Sequence, residues 1–248
     1  MNRKLQITCS IVSAAFLALG ATANAQLLYT SGHGDIGIAY EDGELVPHWH
    51  IDSGILPETE YEPGEVRAVV GSQRSSPSGS ESVLGVAAGS SIYVAGTSAT
   101  QPNLGFGSEE LDPSDWQSLS TFGQINIELT AFSGPGAFAL YTTTGGGSGF
   151  GDIFLSTFNP GSTVGGINGS NSFEIFAGDH QHFTFGFTTP GYYEITLTWS
   201  GINTTDGFKE ASGTFGFNVG VVPEPSTYAL LAVGAAFILW LRRRQRTA

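Results

Sequence analysis

The sequence predicts an all-β protein whose body is a single antiparallel β-sandwich of the immunoglobulin-like or jelly-roll-like kind. Glycine accounts for 35 of the 248 residues and aromatic residues for 12%, whereas only 12% of the residues are charged. This composition favours strands and turns, because glycine and β-branched residues are poor helix formers and few Glu/Lys pairs are available to support a helix. Short segments of alternating polarity, separated by turn residues, are typical of a sandwich.

The N-terminal segment has the features of a secretory signal peptide. Arg3 and Lys4 precede an apolar stretch over residues 11–19, and Ala23-Asn24-Ala25 forms a small-residue cleavage site. We therefore expect export and a mature chain without the leader. The predicted organisation is a signal peptide over residues 1–25, a β-sandwich domain over residues 26–222 and a C-terminal tail over residues 223–248.

The first part of the body predicts a β-hairpin. Residues 35–40 alternate in polarity, Asp42-Gly43 is a turn pair favoured between paired strands, and residues 44–51 supply the return strand. In such a hairpin, side chains far from the turn on the two strands come close together across the ladder.

The next segment is acidic. Four glutamates are interspersed with prolines over residues 56–65, which predicts a surface loop leading into a strand at residues 66–70. Calcium binding by these carboxylates is an alternative, although the regular Asp/Asn/Gly spacing of a calcium loop is missing. Residues 72–82 are rich in Ser, Pro and Gly and predict an exposed loop.

Short strands separated by turns are predicted for the remainder of the body. Pro113 lies in a predicted helical turn over residues 109–116. Thr189-Pro190-Gly191 separates two segments with strong alternation. The predicted strands cover residues 82–87, 91–95, 125–132, 137–143, 153–157, 172–177, 181–187, 192–199 and 213–219.

All five histidines fall in two short stretches of the chain and stand in pairs of potential metal ligands. Residues i and i+2 of a strand point to the same face, so each pair can direct both side chains at one point. The only cysteine, Cys9, lies in the predicted signal peptide, which leaves imidazole and carboxylate as the ligands for a transition metal. The pairs are His33 with Asp35, His48 with His50, and His180 with His182.

These pairs predict a site for a divalent transition metal, with zinc as the expected ion, because imidazole and carboxylate suit zinc. We expect the pairs His48/His50 and His180/His182 to meet as ligands, with His33 and Asp35 completing or orienting the coordination sphere. Metal affinity should fall below a pH of about 6.5, because coordination needs neutral imidazoles.

The charge distribution argues against nucleic acid as a partner. The formal net charge is −13, and six of the nine basic residues lie at the two ends of the chain. Only Arg67, Arg74 and Lys209 remain for the body, whose acidic surface would repel a phosphate backbone.

The C-terminal tail resembles the PEP-CTERM sorting signal of Gram-negative bacteria. Val-Pro-Glu-Pro-Ser at residues 222–226 is followed by an apolar stretch over residues 228–241 and then by an Arg-rich end. This order is that of a short transmembrane helix with a cytoplasmic basic end, which predicts transient membrane anchoring through the tail alone. The resemblance implies processing by an exosortase, and then release or attachment at the cell surface, often in strains that make exopolysaccharide.

The body resembles the choice-of-anchor M domain of bacterial surface proteins and the Zur-repressed PEP-CTERM proteins. The residues that carry this resemblance are the segment 33–44 with His48-Trp49-His50, and His180-Gln181-His182 with the segment 187–193. The resemblance implies a protein tied to zinc supply outside the cytoplasm, with a metal-uptake transporter or receptor as a partner.

Two other functions remain open from the sequence. One is a non-catalytic structural or adhesive protein of an exopolysaccharide matrix, in which Trp49, Trp116 and Trp199 would stack on sugars. The other is a cupin-like metalloenzyme, although the glutamate expected after the first His-x-His pair is missing. Since no Gly-x-Ser-x-Gly or His-Glu-x-x-His motif is present, we expect no catalysis, and metal capture or buffering is the predicted function.

Overall fold

The computed structural model describes residues 26–220, apart from residues 97, 99 and 160–170. The predicted signal peptide and the C-terminal tail lie outside the described residues. Strands dominate the regular secondary structure of the described part, which also has one short helix, α1 (Ser80–Val83), and two 3-10 turns, Pro113–Asp115 and Gly145–Gly147. The strands are β1 (Leu27–Tyr29), β2 (Gly32–Glu41), β3 (Glu44–Ile51), β4 (Thr59–Tyr61), β5 (Val66–Val70), β6 (Gln73–Ser75), β7 (Ser91–Ala95), β8 (Pro102–Gly107), β9 (Ile125–Ser133), β10 (Phe138–Thr144), β11 (Gly149–Ser156), β12 (Ser172–Ile175), β13 (His180–His182), β14 (Thr184–Phe187), β15 (Gly191–Asn203) and β16 (Gly207–Val219).

The strands form three sheets, and the predicted all-β sandwich is confirmed. A six-stranded sheet has the order β1-β5-β16-β15-β9-β12, and a five-stranded sheet has the order β11-β10-β14-β7-β6. The third sheet, which we call the site sheet, has the order β13-β8-β2-β3-β4. Most pairs are antiparallel, and the pairs β1–β5, β5–β16 and β2–β8 add parallel pairing that the sequence analysis did not anticipate.

Aromatic side chains join the three sheets around a common core. Trp49 of the site sheet packs edge-on against Phe215 and Phe217 of the six-stranded sheet, with ring centroids 5.2 and 5.9 Å apart. Phe106, also on the site sheet, stacks on Phe185 of the second sheet at 5.9 Å. All five side chains are almost fully buried, so the site sheet is fixed on its inner face by packing.

The predicted hairpin is confirmed, and its turn residues explain its register. Asp42 and Gly43 both have positive φ, 49° and 85°, which is the backbone of the two-residue turn that matches strand twist. Glu41 therefore pairs with Glu44, and the ladder continues to the pair of Gly34 and Ile51.

Several predictions for the body were wrong or incomplete. The predicted loops over residues 56–65 and 72–82 contain β4 and β6, and the predicted strand over residues 181–187 is divided into β13 and β14, which lie in different sheets. Residues 82–87 do not form a strand, because the segment begins with α1, in which Val83 is buried, and the Ala88 backbone N–H donates to Glu81. Strand β8 was not predicted, although it lies beside β2 in the site sheet. The helical turn at Pro113 is confirmed as a 3-10 turn, in which Asp112 accepts a hydrogen bond from the Ser114 backbone N–H.

Within the part of the chain that the structure describes, no helix has the length and apolar character needed to cross a membrane.

Candidate metal centre

The outer face of the site sheet carries every histidine of the chain. Inward-facing residues of its strands, such as Ile36, Trp49 and Phe106, are at most 1% exposed and belong to the core. Since successive residues of a strand point to opposite faces, the histidines on the same strands are directed away from this core. The core thus fixes the sheet, and the sheet positions the histidines.

Strand register places the candidate ligands in two neighbouring rows. In the first row Asp35 pairs with His50 on one side and with Gly105 on the other, and Gly105 in turn pairs with His182. The second row has the same pattern shifted by two residues, with the order His180, Gly107, Gly37 and His48. The long side chains therefore stand at both ends of each row.

Glycines between the histidines provide the space in which the side chains meet. A Cβ on Gly105 would overlap Oδ1 of Asp35 and would lie 3.3 Å from Nε2 of His180. A Cβ on Gly107 would lie 2.5 Å from Oε2 of Glu109, and one on Gly37 would overlap Nε2 of His48. Larger residues at Gly105 and Gly37 would displace the candidate ligands Asp35 and His48, and one at Gly107 would displace Glu109.

Three imidazoles converge on one point, which we call the three-imidazole site. Nε2 of His33 lies 3.2 Å from Nε2 of His180 and 2.9 Å from Nε2 of His182. The Nε2 atoms of His180 and His182 are 3.0 Å apart. The three nitrogens thus form a nearly equilateral triangle, although His33 is separated from His180 by 147 residues of chain.

Asp35 lies beneath this triangle and supplies a fourth donor atom. Its Oδ2 is 3.4 Å from Nε2 of His180 and 3.7 Å from Nε2 of His33. Asp35 is 1% exposed, and its Oδ1 has no hydrogen-bond partner within the described structure. A buried carboxylate oxygen without a partner is costly unless a cation compensates it.

The outward nitrogen of each of the three rings faces an acceptor. Nδ1 of His33 is close to Oδ2 of Asp52, Nδ1 of His180 lies 3.0 Å from Oε1 of Glu109, and Nδ1 of His182 lies 3.2 Å from the Leu104 carbonyl oxygen. These contacts favour the tautomer with the proton on Nδ1, which leaves three Nε2 lone pairs directed at one another. Metal-ligating histidines have this arrangement, in which an outer acceptor fixes both tautomer and ring orientation.

The distances match those of a tetrahedral zinc site. Zinc–nitrogen bonds of about 2.0–2.1 Å place the ligand atoms of a tetrahedron roughly 3.3 Å apart. The three nitrogens are 2.9 to 3.2 Å apart, and Oδ2 of Asp35 lies 3.4 and 3.7 Å from those of His180 and His33. All four residues offer ligand atoms within 4.8 Å of one another. The residues of the three-imidazole site therefore fit zinc in donor type, number and spacing.

A second group lies beside the first on the same face, and we call it the His48/His50 site. It consists of His48, His50, Glu60 and Glu110, whose potential ligand atoms all lie within 4.8 Å of one another. His48 and His50 come from β3, Glu60 from β4, and Glu110 from the loop that follows β8.

The loop that carries Glu109 and Glu110 is held in place by Ser108. The Ser108 hydroxyl donates to the carbonyl oxygens of Phe176 and Asp179 at 2.7 and 3.2 Å, and Ser108 itself is fully buried. This anchor fixes the loop against the segment that leads into β13. The two glutamates are thereby positioned over the histidines, Glu109 at the three-imidazole site and Glu110 at the His48/His50 site.

The environment changes the protonation of several site residues. Burial raises the pKa of Asp35 to about 6, although the neighbouring His180 and His33 counteract part of this effect. Burial lowers the pKa of His182, and the adjacent His180 and His33 lower it further, which keeps this ring neutral. Burial also opposes protonation of His50, but Asp52, Glu110 and Glu109 outweigh it and raise the pKa.

The six residues predicted from the sequence all lie on this face, but they do not form one group. His33 and Asp35 join His180 and His182, whereas His48 and His50 belong to the neighbouring group. The expectation that both His-x-His pairs share one coordination sphere therefore needs correction, because Asp35 and the glycines of β2 and β8 separate them. The assignment of the six residues as metal ligands stays a prediction.

Four carboxylates were not identified from the sequence: two belong to the His48/His50 site and two are partners of the histidines. Glu109 and Glu110 were assigned to a helical turn and Glu60 to an acidic loop, while Asp52 was not considered. The one available signal was local: Asp52 continues the alternation of His48 and His50, so it falls on their face of the strand. Glu109 and Glu110 reach the site through tertiary packing, for which the sequence gives no local pattern.

Comparison with known proteins identifies the tail. Residues 221–244 match the PEP-CTERM protein-sorting motif. No curated protein and no solved structure is similar to this chain at a significant level. The sorting motif indicates an exported protein whose tail is processed by an exosortase for delivery to the cell surface or beyond. The resemblance of the body to the choice-of-anchor M domain and the membrane anchoring of the tail stay predictions.

Proposed function

We propose that this exosortase-sorted protein binds a divalent transition metal, zinc in the first place, and captures or buffers it outside the cytoplasmic membrane. The observation that carries the proposal is the convergence of three Nε2 atoms within 2.9–3.2 Å of one another, with each ring oriented through its other nitrogen. Such nitrogens repel one another unless a cation lies between them, and zinc prefers this donor set.

The donor set favours binding over catalysis. Catalytic zinc sites have three protein ligands and keep one position open for water or substrate, whereas closed sites have four. Asp35 supplies a fourth ligand here from a buried position. We therefore favour metal capture over the cupin-like metalloenzyme. Transfer of the ion to an uptake transporter or receptor would take place on the side of the site where His182 is exposed.

Sugar stacking by the three tryptophans, one argument for the alternative function in an exopolysaccharide matrix, does not agree with their burial. Trp49, Trp116 and Trp199 are 0%, 4% and 0% exposed, so they pack in the core and offer no face to a sugar. Stacking on carbohydrate by these three residues would require the core to open.

Calorimetric titration of zinc into the purified, chelator-treated protein tests the proposal. We expect saturable binding, and we expect His182→Ala to weaken it by about tenfold or more, as the loss of an outer partner alone costs about this much. Gln181→Ala is the matched control, because Gln181 lies between two ligands and bonds to Asp179 instead. Binding no tighter than roughly millimolar, or equal binding by the two variants, would contradict the proposal.

Cobalt substitution provides a second readout that does not depend on affinity. Tetrahedral cobalt with three nitrogen ligands and one oxygen ligand has intense visible absorption, whereas octahedral cobalt absorbs weakly. We expect the intense spectrum from the wild type and a weak one from His182→Ala. A weak spectrum from the wild type would argue against the four ligands named here.

A further inference from the structure

We infer that His48, His50, Glu110 and Glu60 form a second site for a divalent transition metal, and that Asp52 couples its occupancy to that of the three-imidazole site. The coupling rests on the proposed function, because it requires metal in the first site. The existence of the second site does not, since its ligands are a separate set of residues.

The side chains of the His48/His50 site converge on one carboxylate oxygen. Oε1 of Glu110 lies 3.2 Å from Nε2 of His48 and 3.3 Å from Nδ1 of His50. Glu60 pairs with His50 across the β3–β4 ladder and adds a second carboxylate on the same face. Separations of this size are those between ligands of one metal ion, roughly 3.3 Å in a tetrahedral site.

His48 provides an independent indication that the group binds a ligand. The residue is 4% exposed, and its buried Nε2 has no hydrogen bond of acceptable geometry in the described structure, despite the nearby Glu110. Its Nδ1 lies 3.1 Å from the Val46 carbonyl oxygen, which places the proton on Nδ1. Nε2 therefore directs a buried lone pair into the group, and burying such an atom is unfavourable unless it is paired.

His50 is oriented in the same way but through the opposite nitrogen. Its Nε2 lies 3.0 Å from Oδ1 of Asp52, so Nε2 donates outward. Its Nδ1 then presents a lone pair on the side where Glu110 lies. Both imidazoles of the second site thus repeat the arrangement of the first, with one nitrogen held by an acceptor and the other free to coordinate.

Asp52 is shared between the two sites. One of its oxygens accepts from His50 and the other accepts from Nδ1 of His33, a ligand of the three-imidazole site. Metal binding to His33 makes its Nδ1–H a stronger donor, which draws Asp52 towards His33 and weakens its hold on His50. Two neighbouring cations also repel each other. Both effects make the coupling negative, so the second ion binds more weakly than the first.

The second site differs from the first in charge and in access. Two glutamates neutralise a divalent cation, whereas Asp35 alone leaves one positive charge at the three-imidazole site. The side chains of His50 and Glu110 are each 31% exposed. The larger share of carboxylate broadens the choice of metals towards manganese and iron, and the exposure favours faster exchange.

Zinc stoichiometry, measured by native mass spectrometry and by competition with a chromophoric chelator, tests the second site. We expect two zinc ions in the wild type and one in Glu110→Gln, with the first affinity unchanged within about threefold. Gly37→Ala is a second route to the same result, because its Cβ would overlap His48. Glu58→Gln is the control, since it removes an exposed carboxylate of the acidic segment that carries Glu60 and should retain two ions.

The outcomes separate this inference from the proposed function. Absence of any tight zinc binding by the wild type would overturn the proposed function. A single tight ion in both the wild type and Glu110→Gln would overturn the second site alone, and so would two ions in both. Asp52→Asn tests the shared role of Asp52: we expect both affinities to fall by about tenfold or more. A change at only one site would overturn the shared role of Asp52.

The simplest alternative explanation for the position of His50 is an ion pair with no metal. The nitrogen chemical shifts of its ring distinguish such an ion pair from metal binding. If protonated His50 only pairs with Asp52 and Glu110, its ring resonances will not respond to the second equivalent of zinc. We expect instead that Nδ1 of His50 and Nε2 of His48 shift together as that equivalent binds. Unchanged resonances would overturn the inference.

Discussion

Replacement of Gly105 by alanine should weaken zinc binding although Gly105 offers no ligand of its own. The added Cβ would overlap Oδ1 of Asp35 and lie 2.7 Å from the carbonyl oxygen of Gln181. Asp35 is 1% exposed and has little room to retreat. To restore ordinary van der Waals separation, its carboxylate would have to move by about 1 Å.

A displacement of this size is large compared with the tolerance of a zinc site. Zinc–ligand distances hold within about 0.2 Å of their normal values, so a shift of about 1 Å removes Asp35 from the coordination sphere or forces the sphere to rearrange. We expect an affinity loss of about 10–100-fold, equivalent to about 1.4–2.7 kcal/mol. Competition with a chromophoric chelator measures the change at fixed pH.

Gly71→Ala is the matched control, because Gly71 is exposed and a Cβ there would meet no atom within 4 Å. Its zinc affinity should equal that of the wild type. Circular dichroism and thermal unfolding should accompany both variants, so that a loss of fold in Gly105→Ala is recognised. A folded Gly105→Ala protein with wild-type affinity would refute the assignment of Asp35 as a ligand.

Three further predictions follow from burial and charge. Because the pKa of Asp35 is raised to about 6, protons compete with metal as the pH falls through this value, and zinc affinity measured from pH 7.5 to 5 should decrease steeply; a flat profile would contradict it. The metal-free Asp35→Asn variant should be more stable than the wild type at pH 7. Chemical denaturation should show this difference in unfolding free energy shrinking as the pH falls from 7 towards 4, because the folded wild type binds the proton at Asp35 more tightly than its unfolded chain does. A difference that grew as the pH fell would contradict a raised pKa of Asp35. Phe217→Ala should lower the free energy of unfolding by about 3–5 kcal/mol because Phe217 is fully buried, whereas Phe208→Ala, at 66% exposure, should change it by less than about 0.5 kcal/mol; equal effects would show that the core is assigned wrongly.

Local sequence patterns were sufficient where neighbouring residues determine the structure. The β2–β3 hairpin follows from the Asp42-Gly43 turn and from alternation on both sides of it, and its pairing of Asp35 with His50 follows from the turn length. The same reasoning predicted that the candidate ligands share one face. These are consequences of a fixed period and a two-residue turn, which need no tertiary information.

Strand β8 escaped prediction for a reason connected with the site. Its sequence, Pro-Asn-Leu-Gly-Phe-Gly, has two glycines and a proline, residues that are depleted in strands. Glycine is nevertheless required there, because a Cβ on Gly105 would overlap the candidate ligand Asp35, and one on Gly107 would overlap Glu109, which faces His180. At such positions the geometry of the candidate site requires residues that strand propensity disfavours, so propensity alone does not predict the strand.

The division into two groups depends on contacts between distant parts of the chain. Glu110 lies about sixty residues from His50, and no period or turn relates them. Their proximity follows from the anchoring of Ser108 and from parallel pairing between β2 and β8, neither of which has a local signature. Tertiary packing therefore determines which histidines share a candidate metal site, while the sequence indicated only which residue types were available.

His33 and His180 lie 147 positions apart in the sequence, and this separation bears on where the proposed ion would be acquired. A polypeptide that crosses a bilayer as an extended thread keeps these imidazoles far apart, and so it cannot carry an ion through the translocation pore in this coordination. On the proposed function, the ion would bind after secretion, from the metal available outside the cell. Loading would then report external availability of the metal rather than the cytoplasmic pool.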